Sequence, residues 1–133
     1  MASITAVGLP PREATKLRKN GVRTTDGLLK VASTKSGRRK LAGQTHLSER
    51  DVLCWVNRAD LMRVKGIGPE YADLLEAAGV DTVKELRIRN PNNLLESMTE
   101  LNARKRLVRR LPTAGMVNGW VAAARELDPM VRY

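Results

Sequence analysis

The sequence predicts an all-α fold, and three observations carry that prediction. Aromatic residues make up only 3% of the 133 residues and phenylalanine is absent, whereas strands favour aromatic and β-branched side chains. No segment alternates apolar and polar residues with the two-residue period of a strand. Apolar residues instead recur at helical spacing, as at Val52, Trp55, Val56 and Ala59, which is typical of an amphipathic helix.

Capping signals support the boundaries of the expected helices. Ser48 and Asn90 stand where an N-cap is expected, and Asn90 precedes a proline at the first helical position. Gly79 suits the end of a helix, and Thr82 with Glu85 has the spacing of a capping box. We expect eight helices, at about 10–20, 25–32, 35–45, 48–63, 69–78, 83–89, 91–110 and 113–127.

The chain contains two diverged copies of one pattern. The run Gly-Leu-Pro-Pro at 8–11 matches Gly-Ile-Gly-Pro at 66–69 with a shift of 58 residues, and Trp55 matches Trp120 with a shift of 65. Such self-similarity is typical of a repeated supersecondary unit. We therefore expect two helical repeats packed with pseudo-twofold symmetry, the second carrying about seven extra residues in its basic third helix.

The run Val-Lys-Gly-Ile-Gly-Pro at 64–69 is the strongest functional signal. Its glycines permit positive φ and a close approach of another group, and Pro69 suits the first position of a helix. Free N–H groups at a helix start favour an anion, and Lys65 adds a positive charge. Pro10 replaces Gly68 in the first copy and removes one donor, so we expect that copy to be structural or a weak phosphate site.

Residues 61–90 resemble the helix-hairpin-helix motif of the DNA polymerase β family and its relatives. The resemblance implies a hairpin that grips one DNA phosphate without reading bases, through the amides of Gly66, Gly68 and Tyr71. Tyr71 stands where that family commonly has a small residue. The whole chain also resembles an uncharacterised bacterial family of tandem helix-hairpin-helix proteins.

The same resemblance implies a monovalent cation, K⁺ or Na⁺, at the hairpin. Main-chain carbonyl groups hold the cation in that family, and the matching carbonyls here are those of Met62, Val64 and Ile67. The sequence itself indicates no other cofactor. His46 is a lone histidine without the neighbouring ligands that a zinc site needs.

Charge indicates a polyanionic partner. The chain has 24 Lys and Arg against 14 Asp and Glu, a net charge of +10, which favours nucleic acid. The predicted domain 1–63 holds 13 basic and 5 acidic residues, and the predicted domain 64–133 holds 11 and 9. Charge runs also occur on solvated helix faces without a partner. The side chains expected to meet phosphates are Arg63, Lys65, Arg104, Lys105 and Arg109, with Lys16, Lys19, Arg38 and Arg39 from the first copy.

The sequence also contains features of two other kinds of site, a helix-turn-helix and a lyase active site. Residues 41–55 resemble a helix-turn-helix, which would place the helix at 48–63 in the major groove. The tryptophan shared by both copies is more economically a core anchor. An enzyme such as a DNA lyase would need an activated lysine amine, for which Lys16, Lys19, Lys40 and Lys105 are candidates. The acidic residues are scattered and no nucleophile motif is present, so we expect no catalysis.

The sequence therefore predicts a non-enzymatic DNA-binding module that favours duplex DNA and does not read sequence. The alternative is a protein-interaction or self-association module, because tandem helical domains of this kind resemble sterile-alpha-motif (SAM-like) folds. No secretory signal or membrane-spanning run is present in the sequence. The single cysteine, Cys54, is expected to be a buried thiol and suits a reducing compartment, which favours the cytoplasm.

Overall fold

The computed structural model describes residues 3–133 and confirms an all-α protein. A 3₁₀ helix at Ile4–Val7 precedes eight α-helices, and Ser3 and Thr24 share an isolated bridge, so the described residues form no sheet. None of these helices combines the length and the apolar character needed to cross a membrane. The helices are α1 (Pro11–Lys19), α2 (Thr25–Ala32), α3 (Lys35–Thr45), α4 (Glu49–Leu61), α5 (Pro69–Ala77), α6 (Val83–Leu86), α7 (Pro91–Lys105) and α8 (Ala114–Glu126).

The described chain divides into two compact units. The first unit comprises the residues up to Asp60 together with Met130–Tyr133, and the second comprises Leu61–Pro129. The predicted domains 1–63 and 64–133, and their pseudo-twofold packing, stay predictions.

Residues 130–133 pack within the first unit. The N–H of Arg132 donates to the carbonyl of Ser33 at 2.8 Å, and Val131 is buried. Arg38, only 4% exposed, donates from Nη2 to the carbonyl of Arg132 at 2.6 Å and from Nη1 to the carbonyl of Ser33 at 2.9 Å. The expectation that Arg38 meets a phosphate is therefore corrected, because its guanidinium is buried against main-chain carbonyls.

The second unit has an aliphatic core with one tryptophan. Leu74, Leu94 and Met98 are fully buried, and Trp120 is 3% exposed. Trp55 of the first unit is 8% exposed. Both tryptophans are core residues, as the sequence predicted. Cys54 differs from expectation in its burial, since the residue is half-buried and not buried.

Three helix predictions were wrong in detail. Helix α7 ends at Lys105 and not at residue 110, because Arg106 adopts a left-handed conformation with φ 50°. Helix α6 ends at Leu86 and not at residue 89. The capping box at its start does not form: the Thr82 side chain makes no capping bond, and the Glu85 carboxylate accepts from the N–H of Asp81 at 2.9 Å.

Candidate functional site

The hairpin loop, residues 62–68, connects α4 to α5 through one left-handed residue. Gly66 has φ 96°, a conformation that favours glycine. The N–H of the buried Ile67 donates to the carbonyl of Val64 at 3.1 Å, which closes the turn. Gly68 then adopts an extended conformation, and Pro69 occupies the first position of α5.

This loop leaves several main-chain donors unused. Helix α5, like α1 and α6, has no side-chain cap, whereas Thr24, Thr34, Asn90 and Thr113 cap α2, α3, α7 and α8. Unpaired N–H groups at a helix start are the partners that an anion needs. Between residues 65 and 71, the N–H groups without an acceptor among residues 3–133 are those of Lys65, Gly66, Gly68, Glu70 and Tyr71.

The unused donors border a concave, solvent-exposed surface. A shallow pocket of about 510 Å³ is lined by Gly66, Gly68, Pro69, Glu70 and Tyr71. The side chain of Lys65 is exposed, as are Gly66 and Pro69. Glu70, also exposed, places one carboxylate in the first turn of α5. An oxyanion therefore has access to the loop, and Glu70 is the acidic group that it would meet there.

Gly68 is the N-cap of α5, and neither its backbone conformation nor its packing requires a glycine there. Its φ of −100° is accessible to any residue, and a Cβ built on it would meet no atom within 4 Å. A side chain at this position would project into open space. The missing side chain keeps that space open to a ligand, since glycine allows another group to approach the backbone closely.

Gly66 lies against the second unit's buried tryptophan. A Cβ built on Gly66 would stand 3.2 Å from Nε1 of Trp120. The ring of Trp120 packs against that of Tyr71, with centroids 5.2 Å apart and planes tilted by 53°. Gly66, Tyr71 and Trp120 thus converge at one end of α5.

Tyr71 also links the hairpin loop to a basic segment. Its hydroxyl donates to the main-chain carbonyl of Arg110 at 3.1 Å. Arg110 closes a stretch, which we call the basic segment, of residues 104–110, where five of seven residues are basic and none is acidic. All five side chains are exposed. The Tyr71 hydrogen bond therefore places this positive charge beside the start of α5.

The conformation of the basic segment is fixed from within. The side-chain amide of Asn102 donates to the carbonyl of Val108 at 3.2 Å and accepts from its N–H at 3.0 Å. The Val108 side chain is buried at 6% exposure, and Arg106 is left-handed. With these anchors, the charged side chains point outward from an ordered main chain, which lowers the entropy lost on binding.

The other predicted site residues have different surroundings. Arg63 is half-buried and donates from Nη2 to the carbonyl of Asp128 at 2.9 Å. In the first unit Lys19 is exposed and Lys16 half-buried, and Arg39 lies 3.8 Å from a carboxylate oxygen of Glu49. The basic segment contains three predicted site residues, Arg104, Lys105 and Arg109. It also contains Arg106 and Arg110, which were not among the predicted site residues although they belong to the same run of charge.

The carbonyls that the resemblance assigns to a cation are compatible with that role. The carbonyl of Val64 accepts from Ile67, and those of Met62 and Ile67 accept no hydrogen bond from residues 3–133. Hard monovalent cations take oxygen ligands of this kind. The described residues bring together no group of three or more His, Cys, Asp or Glu side chains that could hold a metal ion.

Fold and site define an all-α protein with an exposed, donor-rich hairpin loop beside a basic segment. A family model matches residues 7–127, so the chain belongs to the family described as a domain of unknown function, DUF4332. No curated protein and no solved structure matches the chain.

Proposed function

We propose that this protein is a non-enzymatic module that binds duplex DNA through its backbone phosphates, without reading sequence. The observation that carries the proposal is the set of five unpaired main-chain N–H groups around Gly66 and Gly68, of whose residues Lys65, Gly66 and Glu70 are exposed and Gly68 and Tyr71 half-buried. Such a set, reinforced by the dipole of α5, suits the oxygens of one phosphate group. It offers no contact to base edges, and phosphate contacts carry no sequence information by themselves.

We further propose that the two units are diverged helix-hairpin-helix repeats with SAM-like shape and pseudo-twofold packing. Local bonding supports the proposal. Val22 donates to the carbonyl of Leu17 at 2.9 Å, and Val80 donates to that of Leu75 at 2.9 Å. The glycines before them, Gly21 and Gly79, are both left-handed, with φ 83° and 89°. Each pair is related by the shift of 58 residues found in the sequence.

The basic segment would add affinity by neutralising neighbouring phosphates. Each phosphate contact releases counterions, so log K should fall with log salt at roughly −0.9 per contact. Duplex DNA is favoured over single strands, because single-strand binders stack bases on exposed aromatic rings and both tryptophans are buried. A monovalent cation at the carbonyls of Met62, Val64 and Ile67 would supply a further positive charge beside the bound phosphate.

The test is a titration of DNA duplexes of different sequence at several salt concentrations. We expect one affinity for all sequences and a steep salt dependence. Gly68→Val should weaken binding roughly tenfold, since its side chain occupies the space of the bound phosphate oxygen and one charge-assisted hydrogen bond has about this strength. The slope of log K against log salt should change by less than the roughly 0.9 that one phosphate contact contributes.

Gly43→Val is the matched control. Gly43 is exposed on α3, and a Cβ there also meets no atom within 4 Å. Gly43→Val should not lower the unfolding temperature, because glycine is unfavourable inside a helix, and Gly68→Val should lower it by only a few degrees, because valine is a poorer N-cap than glycine. If folded Gly68→Val binds duplex DNA as well as Gly43→Val does, the hairpin loop is not the phosphate site.

Absence of duplex binding even at low salt would contradict the whole proposal. Concentration-dependent self-association in sedimentation, together with indifference to DNA, would support the protein-interaction function instead. From the single cysteine we infer that the protein acts in the cytoplasm.

A further inference from the structure

Trp120 carries a polar group that its own fold does not use. Its side chain is 3% exposed, yet the indole N–H has no acceptor among residues 3–133. Within the described part of the chain, Oδ1 of Asn57 is the only fully enclosed side-chain nitrogen or oxygen atom without a partner. Nε1 of Trp120 therefore still reaches the surface, although almost all of the ring is buried. Buried tryptophans ordinarily give this N–H a partner.

The unused N–H lies at the hairpin loop. Nε1 stands 3.2 Å from the Cβ position of Gly66, on the side of the loop where a side chain would otherwise be. Any residue other than glycine at position 66 would cover the nitrogen. The contact of the Trp120 ring with Tyr71 fixes the ring orientation from the other side. A neutral donor is thus held next to the unpaired main-chain N–H of Gly66.

We propose that the indole N–H of Trp120 donates a hydrogen bond to the phosphate oxygen that the hairpin loop binds. This inference rests on the proposed function and adds to it a side-chain donor from α8, a helix outside the hairpin. An anion is the ligand that fits, because the indole N–H and the amides of Gly66 and Gly68 are all donors without an acceptor among residues 3–133, and Glu70 is the one acidic side chain that lines the pocket. A cation or a base acceptor edge would leave several of these donors unsatisfied.

Trp55 provides the contrast within the same molecule. Near the corresponding glycine of the first unit, Gly8, the closest group is Nη1 of Arg58, 2.7 Å from its Cβ position, and no atom of Trp55 lies within 4 Å. The two tryptophans are therefore equivalent in the sequence pattern but not in their relation to a loop. The proposed donor role belongs to Trp120 alone.

The primary experiment follows the two indole N–H resonances of the full chain by ¹H–¹⁵N NMR while a short DNA duplex is added. We expect the Trp120 Hε1 resonance to move downfield and its exchange with solvent to slow, in step with the amide resonances of Gly66 and Gly68. The Trp55 Hε1 resonance should stay in place. A Trp55→Phe variant assigns the two signals.

A second measurement removes only the donor. Replacing Trp120 by benzothienylalanine keeps the bicyclic ring and substitutes sulfur for the N–H, so the core remains filled. Duplex affinity should fall roughly tenfold to a hundredfold, the range for a hydrogen bond to a charged acceptor. The salt slope should be unchanged, since a neutral donor releases no counterion. The same replacement at Trp55 should leave the affinity as it is.

The outcomes separate this inference from the proposed function. If the Gly66 and Gly68 amides respond to the duplex while the Trp120 Hε1 resonance and the affinity of the benzothienylalanine variant do not change, the donor role is overturned and the phosphate site stands. If neither the loop amides nor the indole respond, both proposals fail together.

Discussion

The loops at 8–11 and 66–69 share three local conformations and offer a ligand very different surfaces. Each begins with a left-handed glycine, Gly8 at φ 85° and Gly66 at φ 96°. Each leads through an extended residue into a nine-residue helix that starts with proline, α1 or α5. In both helices the first turn lacks a side-chain cap.

The first loop has neither of the free donors that Gly66 and Gly68 provide in the second. The N–H of Gly8 donates to the carbonyl of Thr5 at 3.1 Å, and Pro10 has no N–H. The nearest cation, Arg58, donates from Nη1 to the carbonyl of Val7 at 3.0 Å. This loop therefore completes the packing of its own unit with groups that could otherwise meet a phosphate.

The second loop has the same left-handed glycine, extended residue and proline, but the N–H groups of its two glycines are not used within residues 3–133. The N–H groups of Gly66 and Gly68 have no acceptor in the described part of the chain, and Trp120 takes the place that Arg58 has beside Gly8. The comparison teaches that backbone path alone does not make a phosphate site. What decides is whether each donor on that path is already satisfied by the protein.

The largest expected effect comes from removing charge beside the second loop. The triple variant Arg104→Gln, Lys105→Gln, Arg109→Gln should weaken duplex binding several hundredfold at about 0.1 M salt and lower the salt slope by about 2.7, if each residue contacts one phosphate. Fluorescence anisotropy with a labelled duplex at four or more salt concentrations measures both quantities.

The matched triple in the first unit is Lys16→Gln, Lys19→Gln, Arg39→Gln. We expect a smaller loss, because Lys16 is half-buried and Arg39 is already paired with Glu49 at 3.8 Å. An equal or larger loss from this variant would show that the first unit, with its less favourable loop, carries the main binding surface. That result would reverse the comparison.

An intermediate effect on duplex affinity is expected from replacing Glu70. This acidic residue follows the second loop, and the corresponding residue after the first loop is Arg12. Glu70→Arg should raise duplex affinity about tenfold, because it removes a repulsion and adds one phosphate contact. The same anisotropy titration measures it. The variant should also lose some stability, since a first-turn carboxylate interacts favourably with the helix dipole by about 0.3–1 kcal/mol.

Glu13→Arg is the control for this change. Glu13 lies in the first turn of α1, so the variant has the same charge change and the same helix-dipole cost. Affinity should rise less than for Glu70→Arg. Equal gains would mean that only the net charge of the protein matters and that neither loop is a specific phosphate site.

The sequence predicted most helices because their signals are local. The N-caps at Ser48 and Asn90 form as expected, with Ser48 accepting from Asp51 at 3.0 Å and Asn90 accepting from Asn93 at 3.1 Å. The end of α7 was not predictable in this way. It depends on the Asn102 amide pairing with Val108 six residues later, and helical periodicity continues across that point in the sequence.

The candidate site was predictable in part for the same reason. The glycines and Pro69 are local signals: Gly66 is left-handed and Pro69 begins α5, as their residue types predict, whereas Gly68 is extended. The role of Arg38 was misjudged because a basic run does not indicate which of its members is buried, and the carbonyl partners of Arg38 lie in α2, at Ser33 and at Arg132. The positions of Nε1 of Trp120 and of the Tyr71 hydroxyl depend on contacts far apart in sequence, which no local pattern indicates.

The smallest expected effect concerns the turn after α5, where the two units also differ. Thr24 caps α2 by accepting from the N–H of Gly27 at 3.0 Å, but Thr82 does not cap α6, and Asp81 stands before it. Burial, and then the nearby carboxylates of Glu85 and Glu76, raise the pKa of Asp81. A raised carboxyl pKa means that the ionised form destabilises the folded state, and that this cost disappears as the pH falls through the folded-state pKa.

Asp81→Asn should therefore raise the unfolding temperature at pH 7 by about 1–2 °C, the shift that a few tenths of a kcal/mol produces in a protein of this size. The gain should shrink as the pH is lowered and be absent near pH 3, below the ordinary aspartate pKa of about 3.9. Thermal unfolding followed by circular dichroism at both pH values measures it.

Asp26→Asn, at the exposed first turn of α2, is the control and should give no gain, because it loses a favourable interaction with the helix dipole. A lower unfolding temperature for Asp81→Asn at pH 7, or a gain that persists unchanged at pH 3, would mean that the Asp81 carboxylate stabilises its turn and that the two units do not differ here in the way described.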